Sequence, residues 1–585
     1  MFNRYYSEEL TFLREMGKEF SQAHPDAAHF LAEGGSDPDV ERLLEGFAFL
    51  TARLRQKLDD ELPEITQSLM SLLWPHYLRP IPSSTIVQFR PKRQKVSGLQ
   101  KIPRGTVVDS VPVERIPCRF RTCYSVEMYP LDLDQATLAI TSSPPQIRLN
   151  FRLWDGSSIA TLGLERLKLH LHGDLSATLL LYLWLHRHLN SINVFVYDNG
   201  GSKRSFRLPP DALVPGGFSE DESLLPYPRH SFPGFRLLQE YYTLPSKFLF
   251  FDLTGLSPLR SFPGATRFEV VFEFSKPLQG SLSGAETILL NCTPVVNLFE
   301  HQADPIRVHH EKAEYKIKPV GADALYYEIY SLDRVFGIPR GTAEKSEYLP
   351  FYSFAHPSGD FERQRIYYQT RVAPSVVGYG TDTFISFVYS DLSEALPPTE
   401  TISIDLTCTN RWLPTQLRPG DIRVPTSSTP EFATFENLTQ VTTPVVPPLG
   451  GNLHWRLISH LALSYRSLGN AEVLRNMLSL YNFQASYDRR AARGHEMKMA
   501  GIRNVKASPC ERLLDGALLR GTAVEIEVQE DQFAGEGDLY LFANLVNEVC
   551  SLYGTINSFT QFSLKGLQQG EIYKWPPRIG TQSLV

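Results

Sequence analysis

Apolar residues at Val40, Leu43, Leu44, Phe47, Leu50, Leu54 and Leu58 recur three and four positions apart. That spacing predicts one long amphipathic helix, with Glu41, Arg42, Glu45, Arg53, Arg55 and Lys57 on the opposite face. Asp37 suits its N-cap and Pro38 its first turn. A second helix is expected from Pro63, striped by Ile65, Leu69, Leu72 and Leu73, and Pro75, Pro80 and Pro82 end it. Residues 3 to 24 show a similar spacing in Tyr6, Leu10, Leu13, Met16 and Phe20. A lone hairpin cannot bury both sides of Phe47 and its neighbours. The pair therefore either covers the core of the next domain or joins helices of another subunit, and periodicity does not separate the two.

At Ser84 the rhythm changes to period two, with Val87 and Phe89 on one side and Gln88 and Arg90 on the other. In KIPRGTVVDS, Pro103 and Gly105 are placed for a turn between short strands. CRFRTCYSVEMYPLDL reads as one strand, LERLKLHLHGD and INVFVYD as two more, and SATLLLYLWLHRHL between them as a buried helix. The Pro-, Gly- and Ser-rich stretch from Pro209 to Pro245 reads as an extended loop pinned by Phe235, Leu237 and Tyr241. FLFFDLTGL and TRFEVVFEF look like neighbouring buried strands, followed by ALYYEIYSLDRVFGI, RIYYQTRVA, TDTFISFVYSD and TISIDLTCTN. Near the end, Leu453 to Phe483 reads as two helices, GTAVEIEVQED as a strand, DLYLFANLVNEVCSLYGTIN as a helix and SFTQFSLKG as a strand.

The fold class expected is α+β and multi-domain. Helices over residues 1–83 precede a β-rich, sandwich- or barrel-like domain over 84–290 with one internal helix. A second β-rich domain spans 291–440, and a small α/β domain spans 441–585. At 585 residues the chain is too long for one core. The 42 prolines and 38 glycines agree with many short strands and turns.

A net charge of −6 and the absence of a basic run argue against nucleic acid. No run of about 18 apolar residues exists to insert in a membrane. The charged N-terminus lacks a signal peptide's apolar centre, so a cytoplasmic location is expected. Six scattered cysteines are expected to stay reduced.

The enzyme motifs fail. No phosphate-cradling G-x-x-x-x-G-K-[ST] is present, and no G-x-G-x-x-G stands between a strand and a helix. His495-Glu496 opens like a zinc-protease helix, but Met499 stands where the second histidine must be. Leu282 takes the nucleophile's place in Gly280–Gly284. His170 and His172 share a strand face and read as solvated rather than metal-binding, and His309 and His310 point apart. No catalytic, cofactor-binding or metal-ligating residue is expected. The loop CTNRWLPTQLRPGD offers Arg411 and Trp412 to a partner. A carbohydrate-binding or carbohydrate-processing β protein is the rival reading from composition, although no acidic pair in an aromatic groove supports it.

Laid out in order, the chain resembles the TssF (ImpG, VasA) family of type VI secretion baseplate subunits. The resemblance runs through FNRYYSEELTFLREMGKEFSQAHPDAAHFL, LLWPHYLRPIPS, KIPRGT with CRFRT, and TPVVNLFEHQADPIRVHHEKAEY. It continues in PFYSFAH, CTNRWLPTQLRPGD, HWRLISHLALSY, RGTAVEIEV and INSFTQFSLKG. The family is similar to the wedge protein of contractile-tail phage baseplates. What the resemblance implies is a structural subunit without enzymatic activity or cofactor. Two copies would join one TssG, then TssK and TssE, around the spike and hub, to form a platform for tube and sheath docked at the inner face of the membrane. It further implies that Val40, Leu43, Leu44, Phe47, Leu50, Leu54 and Leu58 are buried against TssG or the second copy.

Overall fold

The computed structural model describes most of residues 38–580, with gaps at 60–62, 140–141, 199–202, 229–230, 277–286, 309–311, 322–325, 340–344, 352–365, 376–378, 390–399, 450–468 (Arg456 and Ser459 apart) and 515, and a few residues between 6 and 16. Helices α1 (Pro38–Asp59) and α2 (Pro63–Leu73) form as their periodicity predicts, and a short turn Pro75–Leu78 ends the pair at its prolines. Asp37 lies outside the described residues. Further along come α3 (Leu175–Leu183), α4 (Pro233–Thr243), α5 (Ala471–Leu480), α6 (Arg489–Gly501) and α7 (Glu536–Leu552).

The strand Ser84–Pro91 lies at the centre of the molecule's connectivity. It pairs antiparallel with Cys292–Val296 on one side and with Ala433–Asn437 on the other. The same six-stranded sheet continues through Arg119–Thr122 and Val107–Ser110 to Ile422–Val424. Val87, Phe89, Val108, Phe120, Val295, Leu413, Leu417 and Ile422 fill its core. Strand pairing therefore crosses the expected boundary at residues 290 and 291.

A five-stranded sheet runs Lys203–Leu208, Leu189–Asp198, Ala265–Phe274, Gln146–Leu153, Leu131–Ala139. A four-stranded sheet runs Leu213–Pro215, Phe250–Leu253, Leu167–Leu171, Ile288–Leu290. Phe250–Leu253 and Ala265–Phe274 thus belong to different sheets and are not neighbours, because the turn Ser257–Ser261 carries the chain across. Cys118 to Leu133, expected as one strand, is broken into Arg119–Thr122, Val126–Met128 and the start of Leu131–Ala139.

The expected buried helix is α3. Its N-cap Asp174 accepts hydrogen bonds from the Ser176 and Ala177 N–H groups at 3.0 and 3.2 Å, and its last turn widens to a π-turn at Trp184–His188. Among the described residues of 84–290 a second helix stands beside the one expected. Between Pro209 and Pro245, α4 starts at Pro233 and buries Phe235, Leu237, Leu238 and Tyr241. Its neighbours in sequence are rich in turn residues, which masked an 11-residue amphipathic run.

A further sheet joins Phe299–Gln302, Ile306–Val308, Glu400–Thr409, Glu328–Pro339, Ser346–Pro350, Ile366–Pro374, Thr381–Tyr389 and Tyr315–Lys316. Helix α2 lies along Ile366–Pro374 where that strand runs past its short pairing with Ser346–Pro350. There the Gln67 amide mimics a strand: its Nε2 donates to the Val372 carbonyl at 2.9 Å and its Oε1 accepts the Val372 N–H at 3.0 Å. A side chain that satisfies both edge groups closes the sheet to further pairing and fixes the helix on it.

In the C-terminal part, Ala517–Val528 and Ser558–Gly566 pair in parallel, and α7 makes the crossover between them. Gly537, in the first turn of α7, sits against the backbone of α3: a Cβ there would meet the Leu179 carbonyl oxygen at 2.3 Å. The Asn544 amide donates to the Tyr182 hydroxyl at 2.9 Å, so α3 and α7 share one core. Helix α6 and the strand Ile502–Leu514 were not expected, because RRAARGHEMK and IRNVKASPCERLL carry too few apolar residues to set a period. Of the two helices expected in Leu453 to Phe483, the second is α5; the first falls outside the described residues except at Arg456 and Ser459.

One buried ion pair holds the segment 216–250 together. Lys247 and Glu240 side chains are fully buried and hydrogen-bonded to each other. Lys247 also donates to the Gly217 carbonyl at 2.6 Å, and Glu240 accepts the N–H groups of Leu224 and Leu225 at 2.7 and 3.1 Å. Burial pulls the Lys247 ammonium below the ordinary lysine range, and the Glu240 carboxylate opposes that shift. Lys247→Met should leave a buried carboxylate uncompensated, at a cost of about 3–5 kcal/mol. Glu240→Gln with Lys247→Met keeps an acceptor for the two N–H groups and should melt above the single variant by differential scanning calorimetry; equal melting temperatures would contradict this. Gln67→Leu should accelerate hydrogen exchange at Val372 while the strand Thr381–Tyr389 keeps its protection, and unchanged exchange would show that the amide does not seal the edge.

Candidate protein-interaction surfaces

Helix α1 presents Leu43, Phe47 and Leu50 to solvent, at 73%, 56% and 60% exposure. Their spacing of four and three residues makes one continuous stripe. On the other side of the helix Ala48 and Ala52 are completely buried, so small residues face the molecule and large apolar ones face outward. Leu44 is half-buried at the margin. Val40, Leu54 and Leu58 fall on helical backbone, but their side chains lie outside the described set. An exposed apolar stripe of this kind is the candidate contact surface.

The loop after Glu400–Thr409 separates its two candidate residues. Asn410 is buried and tied to the Asn297 side chain: its Oδ1 accepts from the Asn297 Nδ2 at 2.8 Å and its backbone N–H donates to the Asn297 Oδ1 at 2.7 Å. Arg411, expected to be available to a partner, is instead buried. It adopts φ +48°, and its Nη2 donates to the Thr381 carbonyl at 3.1 Å. Gly380, at φ +138°, makes room: a Cβ there would stand 3.3 Å from the Arg411 guanidinium carbon and 3.2 Å from Glu328 Oε1. Glu328 accepts the Thr381 N–H and hydroxyl, each at 2.7 Å, while burial raises its carboxyl above the usual range. Arg411 thus serves the interior, and the left-handed turn it adopts sends the next residue, Trp412, outward. Leu413 and Pro414 return to the core.

The candidate chemical groups do not converge. His170, expected to be solvated, is buried against Phe250 at a ring separation of 4.3 Å, and burial together with His172 pulls its imidazole down to about 3. The His170 and His172 rings are 6.3 Å apart, and no cluster of three metal-ligating side chains occurs among the described residues. His495 shares a 2.8 Å hydrogen bond with the Ser479 hydroxyl, and burial lowers it to about 4. His309 and His310 lie outside the described residues. All six cysteines are free thiols, and burial pushes Cys118, Cys123, Cys408 and Cys550 up to about 12, which keeps them unreactive. Strand aromatics pack against one another inside the sheets, as Phe151 does on Phe268 at 4.7 Å.

Two exposed features gave no sequence signal. Leu513 and Leu518 form a cross-strand pair near the tip of the hairpin Ile502–Leu514/Ala517–Val528. Tyr379 packs against both Trp412 and Tyr487 although the three come from distant segments.

Known proteins match the whole chain. The family model for type VI secretion system TssF covers residues 1–582. A type VI secretion system component, TssF1 of Pseudomonas aeruginosa, is 31% identical over 99% of this chain and 98% of its own length. Among solved structures, a chain of a type VI secretion system TssK-TssF-TssG baseplate subcomplex superposes with a TM-score of 0.77 at 33% identity, covering 92% of this chain and 98% of that one. A chain of a baseplate complex from the type VI secretion system gives a TM-score of 0.63 at 29% identity, with full coverage of both. No helix among the described residues is long and apolar enough to cross a membrane. Matched over residues 1–582 by the family model and over 99% of its length by a relative that is itself covered to 98%, the chain belongs to the TssF family of the type VI secretion system.

Proposed function

We propose that this chain is a structural subunit of the type VI baseplate wedge, in which two copies assemble with one TssG and then with TssK and TssE. The wedge surrounds the spike and hub and starts growth of the tail tube and contractile sheath, docked at the inner face of the cytoplasmic membrane. The role is mechanical: the subunit holds and rearranges protein contacts and carries out no chemistry of its own.

The observation that carries this reading is the stripe Leu43, Phe47 and Leu50, left exposed on a helix whose opposite side is buried. Burying each such side chain in an interface stabilises it by about 1.5–3 kcal/mol, enough in sum to bind a partner helix. Val40, Leu54 and Leu58 share its period in the sequence, and Leu44 borders it. The occupant proposed is a helix of TssG or of the second copy. The relationship to chains from a TssK-TssF-TssG subcomplex and from a baseplate complex supports these partners.

Phe47→Asp with Leu50→Asp tests the assignment. Both side chains are exposed in the isolated chain, so its melting temperature should stay at the wild-type value. Co-expressed with the TssG of the same cluster, the variant should lose about nine-tenths or more of the co-purified partner. TssG recovered at the wild-type ratio would overturn the helix assignment.

A further inference from the structure

Three aromatic rings from three separate segments meet at the surface. Tyr379 precedes the strand Thr381–Tyr389, Trp412 follows Glu400–Thr409, and Tyr487 stands two residues before α6. The Tyr379 ring lies 4.9 Å from Trp412 and 5.7 Å from Tyr487, the latter edge-on, and all three are exposed. The patch is rigid where it matters most. Trp412 alone is outward in a loop whose Asn410, Arg411, Leu413 and Pro414 are buried, so presenting its ring to a partner requires no further ordering.

Tyr487 leads directly into a basic surface. Arg489, Arg490 and Arg493 on the first turns of α6 are exposed, and none makes an ion pair among the described residues. The Asp488 carboxylate beside them is engaged as the helix N-cap, accepting the Arg490 N–H at 2.8 Å. Glu496 lies one turn further on. Exposed Trp, Tyr and Arg side chains in one place have the composition of an interface hot spot.

We propose that this patch docks an acidic segment of a neighbouring baseplate subunit, with one apolar side chain of that segment on the Trp412 ring and its carboxylates on Arg489, Arg490 and Arg493. The proposal rests on the reading of the chain as a baseplate subunit. Charge complementarity selects the occupant: three exposed guanidinium groups without an ion pair among the described residues, on the helix that follows Tyr487 of the aromatic cluster, favour a ligand that carries both negative charge and an apolar anchor. A nucleic-acid strand would also stack on aromatics, but a chain of net charge −6 does not favour a polyanion.

The test uses the full chain co-expressed with the TssG and TssK of its own cluster, with Trp412 replaced by the photo-crosslinker p-benzoylphenylalanine. Mass spectrometry of the illuminated complex should identify one crosslinked peptide of net negative charge from TssG, TssK or the second copy. Arg489→Glu with Arg490→Glu and Arg493→Glu should lower the crosslink yield by about tenfold, and lysine at the same three positions should largely restore it. No protein crosslink, a neutral or basic peptide, crosslinked nucleic acid, or an unchanged yield in the glutamate variant would each overturn the patch. The mass of the same preparation keeps the two readings apart. A complex that forms without the crosslink removes the patch alone, whereas a complex that never forms removes the baseplate reading with it.

Discussion

The strand Ser84–Pro91 is the constraint on which the rest of the molecule depends. Its two neighbours, Cys292–Val296 and Ala433–Asn437, come from far downstream, so the central sheet closes only after most of the chain has been placed. The helical pair leads into this sheet and is tied to a second one. Ile81, just before the strand, bridges Val445, and Gln67 locks α2 onto the neighbouring eight-stranded sheet at Val372. Side chains near the sheet are held by the same logic: Asn297 and Asn410 join the strand Cys292–Val296 to the loop that carries Trp412.

Burial and exposure are sharply sorted at the candidate contacts. Along α1 the alanines face in and the large apolar residues face out, the reverse of what a helix stabilised only by its own chain would show. At Arg411 and Trp412 the charged residue is inside and the apolar ring outside. The buried guanidinium has one acceptor, the Thr381 carbonyl, and the charge of Glu328, with space left for it at Gly380; its Nε and Nη1 find no hydrogen-bond partner among the described residues. Both inversions are easy to understand if the missing surface belongs to other subunits.

The parts of the fold legible in sequence were those with a strong local period. The helices α1, α2, α3 and α7 and the strands Ser84–Pro91, Glu400–Thr409, Ala517–Val528 and Ser558–Gly566 all stand where alternation or helical spacing placed them. What stayed hidden was set by tertiary context. Helix α4 sits among turn residues, α6 is too polar to show a stripe, and Phe250–Leu253 and Ala265–Phe274 read alike though they belong to different sheets. For the candidate surfaces, sequence identified Leu43, Phe47 and Leu50 as one face but could not say that it lacks an internal partner. It paired Arg411 with Trp412 as an exposed unit, because a positive φ that turns one in and the other out leaves no trace in composition.

The most direct measurement is the native mass of the purified complex formed with the TssG of the same cluster. The wedge account requires two copies of this chain with one TssG. A chain that remains a monomer in the presence of TssG would contradict it.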